Sequence, residues 1–229
     1  MRSNDPNVVI VELIAHALSD LGEQFVLVGG CAAGLLISDT ARGSVRATDD
    51  VDLIVELVGA SAGSTLDAKL RAAGFQNVPE VICRWQHQGI KVDIMPTTDD
   101  IYGFSNPWYP EAMRTANTTR LPSGREFRVI SAPLLIATKL VAFQDRGQGD
   151  FQSSHDLEDI VAVIDGRPEL IAEFHKASEE VREFLDDEIG VLLGTRAFVD
   201  AISRHLRPDS GSQARVPLII SRMRMLAGL

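Results

Sequence analysis

The chain has 229 residues, 45% hydrophobic and 24% charged, which is enough apolar content for a buried core and too much for whole-chain disorder. A net charge of -10 argues against a protein that coats nucleic acid by bulk charge, and no run approaches the roughly 20 apolar residues of a membrane span. Two cysteines, Cys31 and Cys83, make no disulfide framework and read as reduced core residues, so the expected location is the cytoplasm, with no membrane partner.

The elements follow from apolar spacing. Val9, Leu13, Ala17 and Leu21 recur at helical intervals over 7–21, and Gly22 is the expected stop. Phe25–Val28 is a short apolar strand halted by Gly29-Gly30, after which Cys31–Leu36 starts a helix. Asp50–Val55 is a second strand. Thr65–Ala73 is a helix closed by Gly74, and Val81–Trp85 and Ile90–Met95 are strands around a turn at Gln86–Gly89. Trp108 and Tyr109, between two prolines, read as an aromatic loop, either a packed anchor or a stacking platform. Phe127–Ile130 is a last strand. Beyond Ser131 the pattern turns helical: Pro133–Gln144, His155–Ile164 and Pro168–Leu185, then a loop from Arg207 to Arg215 before a final helix. The expected architecture is α+β, with a mixed-sheet domain over 1–130 and a helical domain over 131–229.

Asp50 and Asp52 sit at i and i+2 of a strand, so their carboxylates share one face while Val51 and Leu53 point to the other. Two adjacent carboxylates repel unless a cation lies between them, and hard oxygen ligands of this kind suit Mg²⁺. Asp93, flanked by Val92 and Ile94 in another strand pattern, needs a partner for the same reason. If its strand lies beside the first, three carboxylates can hold two ions, the arrangement that steers phosphoryl transfer. Gly29-Gly30, at a strand-to-helix turn, lets backbone approach a phosphate. Each feature alone is ordinary: Asp-x-Asp pairs are commonly solvated and Gly-Gly is commonly a turn. Their order along the chain is the specific signal. Farther on, Lys139 lies in an apolar helix, where it either snorkels or reaches an anion. Asp156, Glu158 and Asp159 follow the N-cap residue Ser154 and by themselves read equally as a solvated helix start. The tail from Arg204 carries five arginines and one acid, expected to pair with the acidic body or to contact a phosphate-bearing acceptor.

Val28-Gly29-Gly30 followed by Arg46-Ala47-Thr48-Asp49-Asp50-Val51-Asp52 resembles the polymerase-β-like nucleotidyltransferase superfamily. The pattern Arg-x-Thr-x-Asp-hydrophobic-Asp, with Lys139 to Phe143, Arg146-Gly147 and Ser154 to Ile160, is similar to the AbiEii-type nucleotidyltransferases, toxins of type IV toxin–antitoxin systems. The resemblance covers about Phe25 to Gly166. It implies Asp50 and Asp52 as metal ligands, with Asp93 as the wider superfamily's third carboxylate. It further implies Lys139 on the nucleotide triphosphate, Asp156 as an active-site carboxylate, Gly29 and Gly30 along the phosphates, and Arg46 and Thr48 bracing the nucleotide. The implied reaction is Mg²⁺-dependent transfer of NMP from an NTP to an acceptor hydroxyl on tRNA or protein, with a cognate antitoxin as partner. A small-molecule nucleotidyltransferase and a catalytically idle nucleotide-binding module are the alternatives.

Overall fold

The computed structural model describes residues 5–21, 24–42, 45–59, 61–99, 103, 105–147 and 149–229; the Gly22 helix stop lies outside them. The chain divides into two compact units, Asp5–Ala32 with Arg46–Ser131, and Ala33–Val45 with Ala132–Leu229. Residues 33–45 group with the helical unit although they precede residue 130.

The first unit contains, in chain order, α1 (Val8–Leu18), β1 (Phe25–Val28), the start of α2 (Gly29–Leu36), β2 (Asp50–Val55), α3 (Ala62–Ala72), β3 (Gln76–Asn77), β4 (Arg84–His87), β5 (Ile90–Pro96), α4 (Tyr109–Thr115), β6 (Asn117–Arg120) and β7 (Glu126–Val129). The strands form one seven-stranded sheet in the order β3-β4-β5-β2-β1-β7-β6. It is mixed: β2 runs antiparallel to β1 and parallel to β5, and β1 runs parallel to β7. The all-apolar β1 is buried along its whole length, as expected of a central strand. On β2 the alternation seen in the sequence holds: Val51 and Leu53 are buried while Asp50 and Asp52 stay half-buried on the other face. α1 adds Val11, Ile14 and Leu18 to the core, each worth about 1.5–3 kcal/mol when fully buried.

Three expectations need correction here. The first strand of the hairpin is Arg84–His87 rather than Val81–Trp85, because the turn is only two residues long. Gln88 and Gly89 both have positive φ (49° and 84°), the type I′ geometry that matches strand twist. The aromatic loop is in fact a helix start: Tyr109 opens α4, Pro110 fits its first turn, and the Trp108 N–H donates to Asn106 Oδ1 at 3.1 Å. The edge strands β3 and β6 were not expected, being short and polar.

The second unit holds α5 (Ala132–Arg146), α6 (His155–Gly166), α7 (Leu170–Phe174), α8 (Glu179–Gly194), α9 (Arg196–Ala201), a 3₁₀ turn at Ile202–His205, α10 (Ser210–Gln213) and α11 (Val216–Leu226). The single helix expected over 168–185 is two helices, because Ser178 caps a new start by accepting from the Val181 N–H at 3.3 Å. The loop expected over 207–215 contains α10, capped by Asp209. α6 is buried on nearly every side, and its last turn carries Asp165, only 1% exposed. Arg42 Nε (3.1 Å) and Arg215 Nε (2.6 Å) donate to that carboxylate, and Arg215 also reaches Asp39. Arg222 donates to the Ile164 and Asp165 carbonyls. Of the five tail arginines, Arg215 thus pairs with acids of the body and ties Asp39 to the helices, while Arg222 holds the carbonyls at the end of α6. Among the described residues no helix is long and apolar enough to cross a membrane.

Candidate active site

The sheet register builds the first cluster. Asp52 pairs with Asp93 across β2 and β5, and Asp93 with Arg84 across β5 and β4, so the three side chains form a row on one face. Asp50, two residues earlier, projects to that same face. One oxygen from each of Asp50, Asp52 and Asp93 lies within 4.8 Å of the others; among the described residues no other three His, Cys, Asp or Glu side chains come so close. Two carboxylates at that separation repel by roughly 3 kcal/mol at an effective dielectric of about 20. Arg84 is a resident counter-charge. Arg84 grips Asp93 in a bidentate pair, Nε to Oδ1 and Nη2 to Oδ2, both 2.7 Å, and its Nη2 lies 4.0 Å from Asp50 Oδ2. These hydrogen bonds hold the Arg84 pKa above its ordinary value. Three carboxylates gathered so closely favour a divalent cation, and all the donors are hard oxygens. The residues fit such an ion. Burial first, then the Asp93 charge, pushes the neighbouring Cys83 thiol up to about 11, so it is no nucleophile at neutral pH.

Two features aim these carboxylates. The Thr48 hydroxyl donates to Asp50 Oδ1 at 2.6 Å. Asn7, 1% exposed, fixes that segment: its Nδ2 donates to the Arg46 carbonyl (3.1 Å) and its Oδ1 accepts from the Thr48 N–H (2.9 Å). Thr48 therefore lies beside Asp50 as an orienting donor, and Asn7 holds the backbone of Arg46 in the same segment. Gly29 has φ +65°, and a Cβ built there would fall inside the Asp52 carboxylate. Glycine is required at this turn because Asp52 fills the space, a reason additional to any approach of backbone to phosphate. Gly30 follows in the first turn of α2.

The second cluster belongs to the helical unit. Lys139 of α5, 9% exposed, places Nζ 3.1 Å from Asp156 Oδ1 and 2.8 Å from Asp159 Oδ2 on α6. Arg146, at the exposed end of α5, adds a bidentate pair to Asp156 (3.0 and 2.8 Å). Burial acts to raise the Asp156 pKa; the Arg146 hydrogen bonds and the charges of Lys139 and Arg146 outweigh it and hold the carboxyl below its ordinary value. Lys139 reaches an anion, and that anion comes from its own chain. Ser154 caps α6 as expected, yet Asp156 and Asp159 are buried rather than solvated. His155 is exposed against Glu158. Sequence reasoning passed over Arg84, and it read Asp159 only as part of a solvated helix start. The criterion applied to Asp93, a charge between buried neighbours, would have found Arg84 between Cys83 and Trp85; helical spacing from Asp156 would have found Asp159.

A mixed sheet with paired carboxylates on β2 and a helical unit define the class: a nucleotidyltransferase fold. Among solved structures the chain is similar to an antigenic nucleotidyltransferase-like protein from Paracoccidioides brasiliensis, at 19% identity and TM-score 0.52, over 87% of this chain and 93% of that one. It is more loosely similar to the antibiotic-resistance factor ANT(2'')-Ia in its solution structure, at 18% identity and TM-score 0.49, over 77% of this chain and 88% of that one. No curated protein matches the chain significantly. The family described as nucleotidyl transferase AbiEii toxin, type IV TA system, matches residues 12–220. The chain belongs to that family and is a nucleotidyltransferase.

Proposed function

We propose that the protein transfers a nucleoside monophosphate from an NTP to an acceptor hydroxyl on tRNA or protein, as the toxin of a type IV toxin–antitoxin pair in the cytoplasm. The observation that carries this reading is the close cluster of the Asp50, Asp52 and Asp93 carboxylates on one face of the sheet. Asp50 and Asp52, with Asp93 as third carboxylate, would hold Mg²⁺, which when bound supplies positive charge to the transferring phosphoryl group and acidifies the acceptor hydroxyl. The acceptor oxygen attacks the α-phosphorus, the bond to the bridging oxygen breaks, and pyrophosphate leaves with its electrons. Thr48 keeps Asp50 in its ligating orientation, and Gly29 gives Asp52 its place. Gly29 and Gly30 offer the start of α2 to phosphate oxygens. Lys139 is the proposed fixed charge for the triphosphate and Asp156 its buried partner, with Arg46 beside the nucleotide. The acidic body limits a wide RNA footprint, which favours a compact acceptor contact.

The test is incubation with each labelled NTP, Mg²⁺ and total tRNA. Label in RNA or on protein is expected, and Asp50→Ala should lower transfer by roughly 10³-fold or more, the several kcal/mol that a lost charge-stabilising centre costs. Full activity in Asp50→Ala, or nucleotide binding without transfer to any acceptor, would overturn the reading. Label appearing only on small molecules would replace the acceptor class.

A further inference from the structure

We propose that Arg114, Arg120, Arg125 and Arg128, at the β6–β7 edge of the sheet, form a docking surface for the phosphate backbone of an RNA acceptor. The inference rests on the acceptor half of the reading above and commits it to RNA. From Arg114 to Arg128 the sequence holds four arginines and one acid, Glu126, in a chain of net charge -10. Among the described residues none of the four ends on a carboxylate. Arg114 is exposed in the last turn of α4. Arg120 Nε donates to the Gly124 carbonyl (3.3 Å), although Glu126 is its register partner. Arg125 Nη2 donates to His16 Nδ1 (2.9 Å), and Arg128 donates to Gln24 Oε1 (3.0 Å) and to the Met113 carbonyl. Acceptors without negative charge fix these heads in place and leave the positive charge uncancelled. Arg42, Arg167 and Arg215, by contrast, end on acids. A pre-positioned guanidinium with its charge to spare suits phosphate oxygens, which it binds in pairs. The four are also neighbours. Arg128 ties β7 to α4 through Met113, the residue before Arg114, and Arg125 and Arg128 line one cavity of about 570 Å³ with Gln24, Thr118 and Phe127. A cavity of that size admits a nucleotide. The sheet register aims the surface at the acidic cluster: Val26 pairs with Arg128 on β7 and Val28 with Asp52 on β2, so Arg128 and Asp52 project to one face. Strand spacing and rise put their Cα atoms roughly 12 Å apart. A few nucleotides, at about 3.4 Å of rise each, span that distance.

The experiment is fluorescence-anisotropy binding of labelled total tRNA to the whole, nucleotide-free chain across a salt series, with a labelled polyglutamate peptide as the second ligand. Wild type and Asp50→Ala should bind the RNA equally, with affinity falling as salt rises. Arg114→Gln with Arg120→Gln, both at exposed side chains, should weaken binding by about tenfold and flatten the log–log salt slope by about 1–2. Adding Arg125→Gln should weaken it further. Arg128, half-buried and tied to α4, is left in place so that the variants fold. In transfer assays the same variants should raise KM for RNA and leave kcat near wild type. Arg196→Gln, at an exposed arginine outside the patch, should change neither. Unchanged affinity and slope in the triple variant, or an equal loss in Arg196→Gln, would overturn the inference and leave the metal reading intact. Peptide binding without RNA binding would also overturn it and assign the patch to a protein partner. RNA binding that is lost with the arginines, in a protein that transfers to no acceptor, would uphold the surface while the reaction falls.

Discussion

The two charge clusters differ in burial and in make-up. On the sheet, Asp50, Asp52 and Asp93 gather three carboxylates beside Arg84 and remain half-buried. In the helical unit, Asp156 and Asp159 are buried and meet Lys139 and Arg146, two anions against two cations. A buried cluster of opposite charges is held together within the chain. A partly exposed gathering of like charges is open to something brought from solution. The helical cluster should therefore weigh on folding as well as on the proposed triphosphate contact, the sheet cluster chiefly on the proposed metal, and substitutions should separate them.

The largest contrast comes from exchanging one charge in each. Lys139→Met removes the cation shared by two buried carboxylates and should cost about 3–5 kcal/mol, read by urea unfolding. Asp52→Asn relieves repulsion, so it should leave unfolding unchanged or shifted upward while transfer collapses. A Lys139→Met protein of wild-type stability would erase the distinction. Gly29→Ala comes next. The left-handed backbone alone costs about 1–2 kcal/mol, and the new methyl displaces the Asp52 carboxylate, so activity and Mn²⁺ affinity should fall further than stability does. Equal losses in all three would mean that Gly29 serves only the turn. The smallest effect is expected at Arg146, whose side chain is 69% exposed, which limits the pair with Asp156 to about 1 kcal/mol or less. Because the folded pKa of Asp156 lies below 3.8, its contribution is present above that pH and is lost as pH falls through the folded value. Arg146→Gln should therefore be less stable than wild type near neutrality, with the gap closing in acid. An equal gap at both pH values would detach Asp156 from the effect.

What the sequence disclosed follows the strength of each pattern. β1, β2 and β5 were legible because apolar residues alternate or run unbroken there, and the same alternation put Asp50 and Asp52 on one face. β6, Asn117–Arg120, was not, since an edge strand with solvent on it carries no apolar period. Tyr109–Thr115 was hidden behind its prolines, which mark a helix start as readily as a loop. The acidic cluster was legible as chemistry, yet its counter-ion Arg84 was not, because the test of a charge between apolar neighbours was applied to Asp93 and not to Arg84 between Cys83 and Trp85. Residues 33–45 gave no hint of joining the helices: their ties run through Arg42 and Asp39 to Asp165 and Arg215, partners over a hundred residues away.

The two-residue turn at Gln88-Gly89 has a consequence for evolution of the site. A single residue inserted there would slide β4 by one place and invert it, turning the indole of Trp85 outward and driving Arg84 into the core. Asp93 would lose its guanidinium without any change to the acidic residues themselves. The length of a surface loop thus guards the Arg84–Asp93 pair as closely as the two side chains themselves do.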